Sequence, residues 1–323
     1  MRAVLCRGWG ALEDLTLGDV PAPTPAAGEI LIAVKATGVN YADAIMVAGR
    51  YQTRPPLPFS PGIETAGLVA ACGEGVTRFR PGDRVMALLP YGGLAELVVT
   101  LEADAFAIPA GMSWEDAGAF PVSYLSSAVA LRWEGRLEPG ETLLVLGAGG
   151  GVGLPAVEIG KAMGARVIAA ASTPEKLAAA RARGADDTVN YETEKLTERV
   201  MALTDGKGAD VCFDPVGGDL FDAALSSLGW GGRILLIGFV GGVPQIPANR
   251  LLVKNRAALG CSLRYFRWHA PDKLRASVED LMRWYGEGKL QPCVTHRLPL
   301  ERSVEAIRLL TDRKAHGKIV VVP

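Results

Sequence analysis

The stretch Leu146-Gly147-Ala148-Gly149-Gly150-Gly151-Val152-Gly153 is where residue type and spacing first point to chemistry. It follows the apolar run 142–146 and precedes a helical stretch, 154–163. Read against G-x-G-x-x-G, it runs Ala148-x-Gly150-x-x-Gly153, with alanine in the first position. Gly150 would let a pyrophosphate approach the backbone, and Gly153 would let helix and strand pack closely. The open N–H groups and dipole of the new helix would hold phosphates. Ala148, Gly150, Gly151, Val152 and Gly153 are therefore candidate phosphate contacts. Glycine-rich turns also arise for packing alone. The position of this one, at the first strand of a strand–helix series, favours a dinucleotide site.

The end of the next apolar run bears on which dinucleotide. It reads Ala170-Ala171-Ser172-Thr173-Pro174-Glu175-Lys176. A site for NAD usually carries Asp or Glu here, on the ribose 2′-hydroxyl. No acid stands at this strand end. Ser172 and Thr173 offer hydroxyls and Lys176 a positive charge, a combination that favours NADPH. Glu175 points the other way, and a bland reading leaves Glu175 and Lys176 solvated on a helix face.

These residues need elements to position them. From about residue 140, apolar runs at 142–147, 166–171, 187–191, 209–213 and 233–238 alternate with helical segments. One helix opens at Pro174 and closes at Gly184; others lie near 194–204 and 219–228. That alternation predicts a doubly wound parallel sheet. Before it, short runs at 29–36, 67–72, 85–89 and 95–99 are cut by prolines and by Pro81-Gly82-Asp83, which predicts a partly open β-barrel. After it, a helix at 272–286, a strand at 294–298, a helix at 303–313 and a strand at 318–322 are expected. The fold class is thus α/β, with one domain at 1–123 and 264–323 and a dinucleotide domain at 124–263.

Composition sets outer bounds. The 323 residues carry 34 Lys+Arg against 35 Asp+Glu, so no basic field favours nucleic acid. No apolar run is long enough to span a membrane. Met1–Arg7 lacks the pattern of a secretory signal, so a cytoplasmic protein is expected. Cys6, Cys72, Cys212, Cys261 and Cys293 are odd in number and scattered, which fits neither a disulfide framework nor a clustered zinc site. They read as small buried apolar residues.

Taken in order, the motifs resemble the zinc-free quinone oxidoreductase (zeta-crystallin-like) branch of the medium-chain dehydrogenase/reductase superfamily. The first domain carries the resemblance on Ala36–Asp43, Pro61–Gly67 and Arg80–Val85. The second carries it on Gly147–Gly153, Gly184-Ala185-Asp186, Asp214–Gly218 and Gly231-Gly232-Arg233. The resemblance implies a GroES-like barrel domain, a Rossmann domain, an active site in the cleft between them, and a homodimer through the sheet edge around 233–240. It places Asn40, Asp43 and Tyr51 beside the nicotinamide. Tyr51 would donate a proton or hydrogen bond, and Asn40 would orient acceptor or ring; Asp43 reads equally as a structural cap. It assigns Lys176 and Tyr191 to the adenosine phosphate side, Phe239 and Val240 to the nicotinamide amide, and Lys318 to a further cofactor contact. Ser126 stands where the family has a threonine facing the ring. Residues 263–268 fall where the acceptor pocket closes.

Zinc-dependent relatives have Cys where this chain has Asn40, a His-Glu pair at Ile63-Glu64, and a third ligand near Pro121–Ser123. Asn40, Ile63 and Val122 cannot supply those ligands. His269, His296 and His316 lie late and far apart. The implied chemistry is metal-free: hydride passes from NADPH to a quinone or an α,β-unsaturated carbonyl, with near-attack positioning and stabilisation of the developing oxyanion. The alternative is an NADPH-binding protein with a structural or regulatory role and negligible turnover.

Overall fold

A computed structural model describes all 323 residues, Met1–Pro323, which divide into two compact units. The first comprises Met1–Val122 and Pro292–Pro323, the second Ser123–Gln291. No helix is long and apolar enough to cross a membrane.

The first unit opens with an antiparallel pair, β1 (Arg2–Leu5) and β2 (Thr16–Asp19). Its main sheet is organised by β3 (Glu29–Gly38), in which Ile30, Ile32, Val34 and Ala36 alternate inward. The short helix α1 (Tyr41–Val47) follows, then β4 (Glu64–Cys72), β5 (Arg84–Leu88), β6 (Leu97–Leu101), β7 (Ala105–Ala107) and helix α2 (Trp114–Ala119). β4 pairs along one edge of β3. The other edge is shared: β6 takes Glu29–Ala33, while Thr37 and Gly38 pair with the last strand of the chain. Helix α3 (Pro121–Val129) begins at the unit boundary and continues as a π-helical turn, Ala130–Glu134.

The second unit holds strands β8 (Thr142–Leu146), β9 (Arg166–Ala171), β10 (Asp187–Asn190), β11 (Ala209–Asp214), β12 (Leu228–Leu236) and β13 (Ala257–Gly260). Helices α4 (Gly153–Ala162), α5 (Pro174–Ala182), α6 (Leu196–Leu203), α7 (Leu220–Ser226) and α8 (Ala248–Leu252) connect them. The strands are all parallel, in the order β10-β9-β8-β11-β12-β13. That is the doubly wound dinucleotide order, with its switch point between β8 and β11. Leu143–Leu146 are wholly buried, as a strand covered on both faces requires.

Two expectations change here. The sheet edge is β13, not the 233–240 region, because β12 is interior and pairs with β13 through Arg233–Leu236. Helices α9 (Leu263–His269) and α10 (Pro271–Gly286) also belong to the second unit, so residues 264–291 leave the first domain. The reason is packing: α10 buries Leu274, Leu281 and Trp284, its Asp280 pairs with Arg132, and Ser277 accepts from Trp133 Nε1 at 2.9 Å.

The chain then returns to the first unit as β14 (Val294–Pro299), α11 (Ser303–Thr311) and β15 (Lys318–Val322), the last antiparallel to β3. Ile307, Ile319 and Val321 close an apolar core with Val39, Met46 and Phe59. Both ends of the chain build this unit. All five cysteines are free; Cys6 and Cys212 are buried as expected, but Cys72, Cys261 and Cys293 are only half-buried.

Candidate functional site

In the second unit, the turn after β8 is built by close backbone approach. A Cβ on Gly153 would lie 2.2 Å from the Gly147 carbonyl oxygen, so only glycine lets α4 start so near the strand end. The Ala148 N–H donates to the Ala170 carbonyl at 3.0 Å, and the Gly150 N–H donates to the Gly147 carbonyl at 2.9 Å. Those two donors are spent on the turn itself, and Ala148 is wholly buried. The N–H groups of Gly151, Val152 and Gly153 have no acceptor within the chain. Three open donors at the start of a ten-residue helix form an anion cradle.

The same turn touches the residues expected to select the cofactor. A Cβ on Gly149 would lie 2.4 Å from Lys176 Cβ, so α5 packs directly on the loop. Lys176 Nζ stands 3.5 Å from Ser172 Oγ, and Thr173 caps α5 by accepting the Lys176 N–H. The Tyr191 N–H donates to the Ala171 carbonyl at 3.2 Å, which brings that tyrosine to the same strand ends. Ser172, Thr173, Lys176 and Tyr191 are thus gathered beside the cradle, while Glu175 is exposed.

Across the switch point, Asp214 ends β11 and accepts the Val216 and Gly217 N–H groups, each at 2.8 Å. Burial pushes its carboxyl up from the ordinary range. The turn it shapes is stitched to the next loop: the Gly241 N–H donates to Val216 at 2.7 Å, and the Gly218 N–H to Gly242 at 2.8 Å. Phe239 and Val240 ride on that loop, Phe239 exposed and Val240 half-buried. Ser126 is half-buried. Its neighbour Ser127, which sequence reasoning passed over, donates to the Val152 carbonyl at 3.0 Å.

The first unit gathers a different cluster. Asn40, Asp43, Glu64 and Lys318 are all buried. Lys318 Nζ donates to Val39 O at 3.2 Å, Asn40 Oδ1 at 2.8 Å and Glu64 Oε1 at 2.6 Å. Those three bonds use all three ammonium N–H groups, so the cofactor contact expected of Lys318 would have to displace one of them. Glu64 was read only as part of a motif. Its Oε1 also takes Asn40 Nδ2 at 2.8 Å, and its Oε2 takes the Val122 N–H at 2.8 Å. Asp43, expected among the catalytic groups, accepts the Asn40 N–H at 2.8 Å and the Gly62 N–H at 3.1 Å. Burial pushes its carboxyl up to about 7, against the pull of those N–H groups and of Lys318. With no exposed surface and both oxygens engaged, it positions Asn40 and α1, as the acidic member of a capping box does. Tyr51 is half-buried and packs on the apolar cluster around α1 and α11.

Residues 26–110 match the model of the alcohol dehydrogenase GroES-like domain, and residues 151–283 that of the zinc-binding dehydrogenase. The quinone oxidoreductase-like protein 2 homolog of Nematostella vectensis is 37% identical over 325 residues, 99% of this chain and 88% of that protein. The chain belongs to the quinone oxidoreductase family of medium-chain dehydrogenases/reductases. A quinone oxidoreductase of Pseudomonas aeruginosa shares 33% over 318 residues, 98% of this chain and 97% of its own. The crystal structure of Escherichia coli quinone oxidoreductase complexed with NADPH superposes with a TM-score of 0.94 at 29% identity, covering both chains completely.

The name of the second domain model raises the question of zinc, on which the donor set bears. The resemblance puts Asn40, Ile63 and Val122 at the positions where zinc-dependent members of the superfamily bind the metal. Ile63 is part of the apolar core; of the two carboxylates nearby, Glu64 is paired with Lys318, and Asp43 has both oxygens engaged by the Asn40 and Gly62 N–H groups. A catalytic zinc needs about three protein ligands, and no group of three His, Cys, Asp or Glu side chains gathers anywhere in the chain. These residues do not fit the metal.

Proposed function

We propose that the chain is an NADPH-dependent reductase that passes hydride to a quinone or an α,β-unsaturated carbonyl without zinc. The observation that carries this reading is the set of open N–H groups on Gly151, Val152 and Gly153, packed beside Lys176 and Ser172. A pyrophosphate fits the first set, and a 2′-phosphate fits the ammonium and hydroxyls of the second.

Bound NADPH would supply the hydride. The chain's own contribution is positioning and electrostatics. The α4 N-terminus would hold the pyrophosphate, Lys176 with Ser172, Thr173 and Tyr191 the adenosine phosphate, and Phe239, Val240 and Ser126 the nicotinamide end. Tyr51 is assigned the proton or hydrogen bond to the developing oxyanion. We also assign a homodimer formed along β13, the open edge of the sheet, beside which Leu252 and Val253 are 78% and 77% exposed. A monomer in sedimentation would remove that assignment.

The decisive assay is NADPH oxidation with a panel of quinones and enones. Turnover of at least one acceptor is expected. Tight NADPH binding with no acceptor above background would instead mark a cofactor-binding protein without turnover.

A further inference from the structure

One carboxylate holds both ends of the second unit, which runs from Ser123 to Gln291. Glu158 lies on an otherwise apolar stretch of α4 and is 3% exposed. Its Oε2 accepts the hydroxyl of Tyr124, the second residue of the unit, at 2.6 Å. Its Oε1 accepts the N–H of Gln291, the last residue of the unit, at 3.1 Å. These partners lie 34 and 133 residues away along the chain.

The charge on this carboxylate is poorly matched. Tyr124 faces it from α3 and Arg183 from the turn after α5, while the segment after α10 brings the Gln291 amide. Arg183 stays 3.5 Å away, and its guanidinium donates at 2.9 Å to the Gln291 side-chain carbonyl instead. A buried carboxylate whose cation is held off in this way is costly when ionised. A neutral acid avoids that cost and keeps both contacts. Its O–H can donate to the Tyr124 oxygen while the other oxygen still accepts the Gln291 N–H.

The two ends differ in how readily they yield. Tyr124 is buried within α3, whose Ser127 also bonds to the Val152 carbonyl. Gln291 is exposed, as are residues 286–289, and the chain passes to the first unit at the next residue. Lifting the Gln291 end therefore brings water to an ionised Glu158 with the least disruption.

We infer that Glu158 is a proton-operated clasp: as a neutral acid it fastens both ends of the second unit to α4, and on losing its proton to solvent it releases the Gln291 end. The clasp lies wholly within the second unit and works alike whatever dinucleotide or acceptor the chain takes.

Burial pushes the Glu158 carboxyl up to about 7, and the ordinary value of 4.5 applies once the group is hydrated. The closed clasp thus binds the proton more tightly than the open one, and opening grows as pH rises through about 7. Between pH 6 and pH 8 those two values raise the open fraction about tenfold.

Amide hydrogen exchange of the parent at pH 6 and pH 8, corrected for the intrinsic rise of exchange with pH, provides the test. The Gln291 N–H is expected to exchange about tenfold faster at pH 8, while the amides of β8 stay protected over the same time. Glu158→Gln keeps an acceptor for Gln291 and a donor for the Tyr124 oxygen but cannot ionise. Its Gln291 N–H should show the same corrected rate at both pH values. Arg183→Gln removes the facing cation and should move the rise to higher pH, a shift that loss of a merely structural contact would not produce. The parent comparison stands even where a variant does not fold. Four results overturn the inference: a Gln291 N–H no faster at pH 8, one that exchanges only together with β8, a rise that persists in Glu158→Gln, or one that does not move in Arg183→Gln.

Discussion

The Ser127 hydroxyl lies 3.0 Å from the Val152 carbonyl oxygen and so braces the residue that precedes α4. It also lies 3.0 Å from the Ser123 carbonyl, so one O–H is shared along α3 and with the phosphate turn. Val152 carries one of the three open N–H groups, and its carbonyl already accepts from Ala156 at 3.2 Å. Ser127→Ala removes the brace but leaves the cradle's donors intact. A net hydrogen bond contributes about 1 kcal/mol. Dinucleotide affinity should therefore weaken by about fivefold, for NADPH and NADH alike, as read by fluorescence titration. A variant indistinguishable from the parent would show that the turn holds its shape without Ser127.

Lys176→Ala tests selectivity separately. A charge-assisted hydrogen bond contributes about 1.5–3 kcal/mol. NADPH affinity should thus fall roughly ten- to hundredfold while NADH affinity stays within about twofold. The parent's preference for NADPH should also shrink at high salt. Equal affinities of the parent for the two cofactors would defeat the assignment.

Gly149→Ala should lower both stability and selectivity. Its Cβ would meet Lys176 Cβ at 2.4 Å and Lys176 Cα at 2.9 Å, and a helix backbone cannot yield as a side-chain tip does. Overpacking of this kind costs about 1–3 kcal/mol. A thermal melt and paired titrations with NADPH and NADH check it; unchanged selectivity would mean that Lys176 does not depend on this contact.

Glu158 predicts a pH effect. It is buried on α4, accepts the Tyr124 hydroxyl at 2.6 Å and the Gln291 N–H at 3.1 Å, and lies 3.5 Å from Arg183. Burial pushes its carboxyl up to about 7, against the opposing pull of Tyr124, Arg183 and the Gln291 N–H. Its folded pKa lies above the ordinary 4.5, so over that interval the folded state binds more protons than the unfolded one. This contribution to stability is full below about pH 4.5 and is lost as pH rises through about 7. Asp43, also raised to about 7, acts in the same direction. Glu158→Gln should flatten part of the decline in melting temperature between pH 5 and 8. An unchanged profile would place the titration elsewhere.

Much of the second unit was legible in the chain because its signals are local. Apolar runs buried on both faces, a glycine turn between strand and helix, and Pro and Gly at helix ends each need only a short window. The three open donors at Gly151–Gly153 follow from that spacing, as do Ser172 and Lys176 at the neighbouring strand end. Strand β13 and helix α9 were missed, and the edge of the sheet was placed one strand too far inside. The four residues Ala257–Gly260 have no period long enough to read. Residues 264–291 were assigned to the wrong unit because amphipathicity marks a buried helix face without naming its partner.

By itself, the sequence determined that the chain alternates strands and helices around a phosphate turn, and that both ends of the chain build the first unit. Only the tertiary structure decided what Asn40, Glu64 and Lys318 do together. Their meeting depends on β15 closing against the end of β3, a pairing between distant segments. Once that contact forms, burial compels the ammonium and the carboxylate to pair, and the amide between them can point only one way.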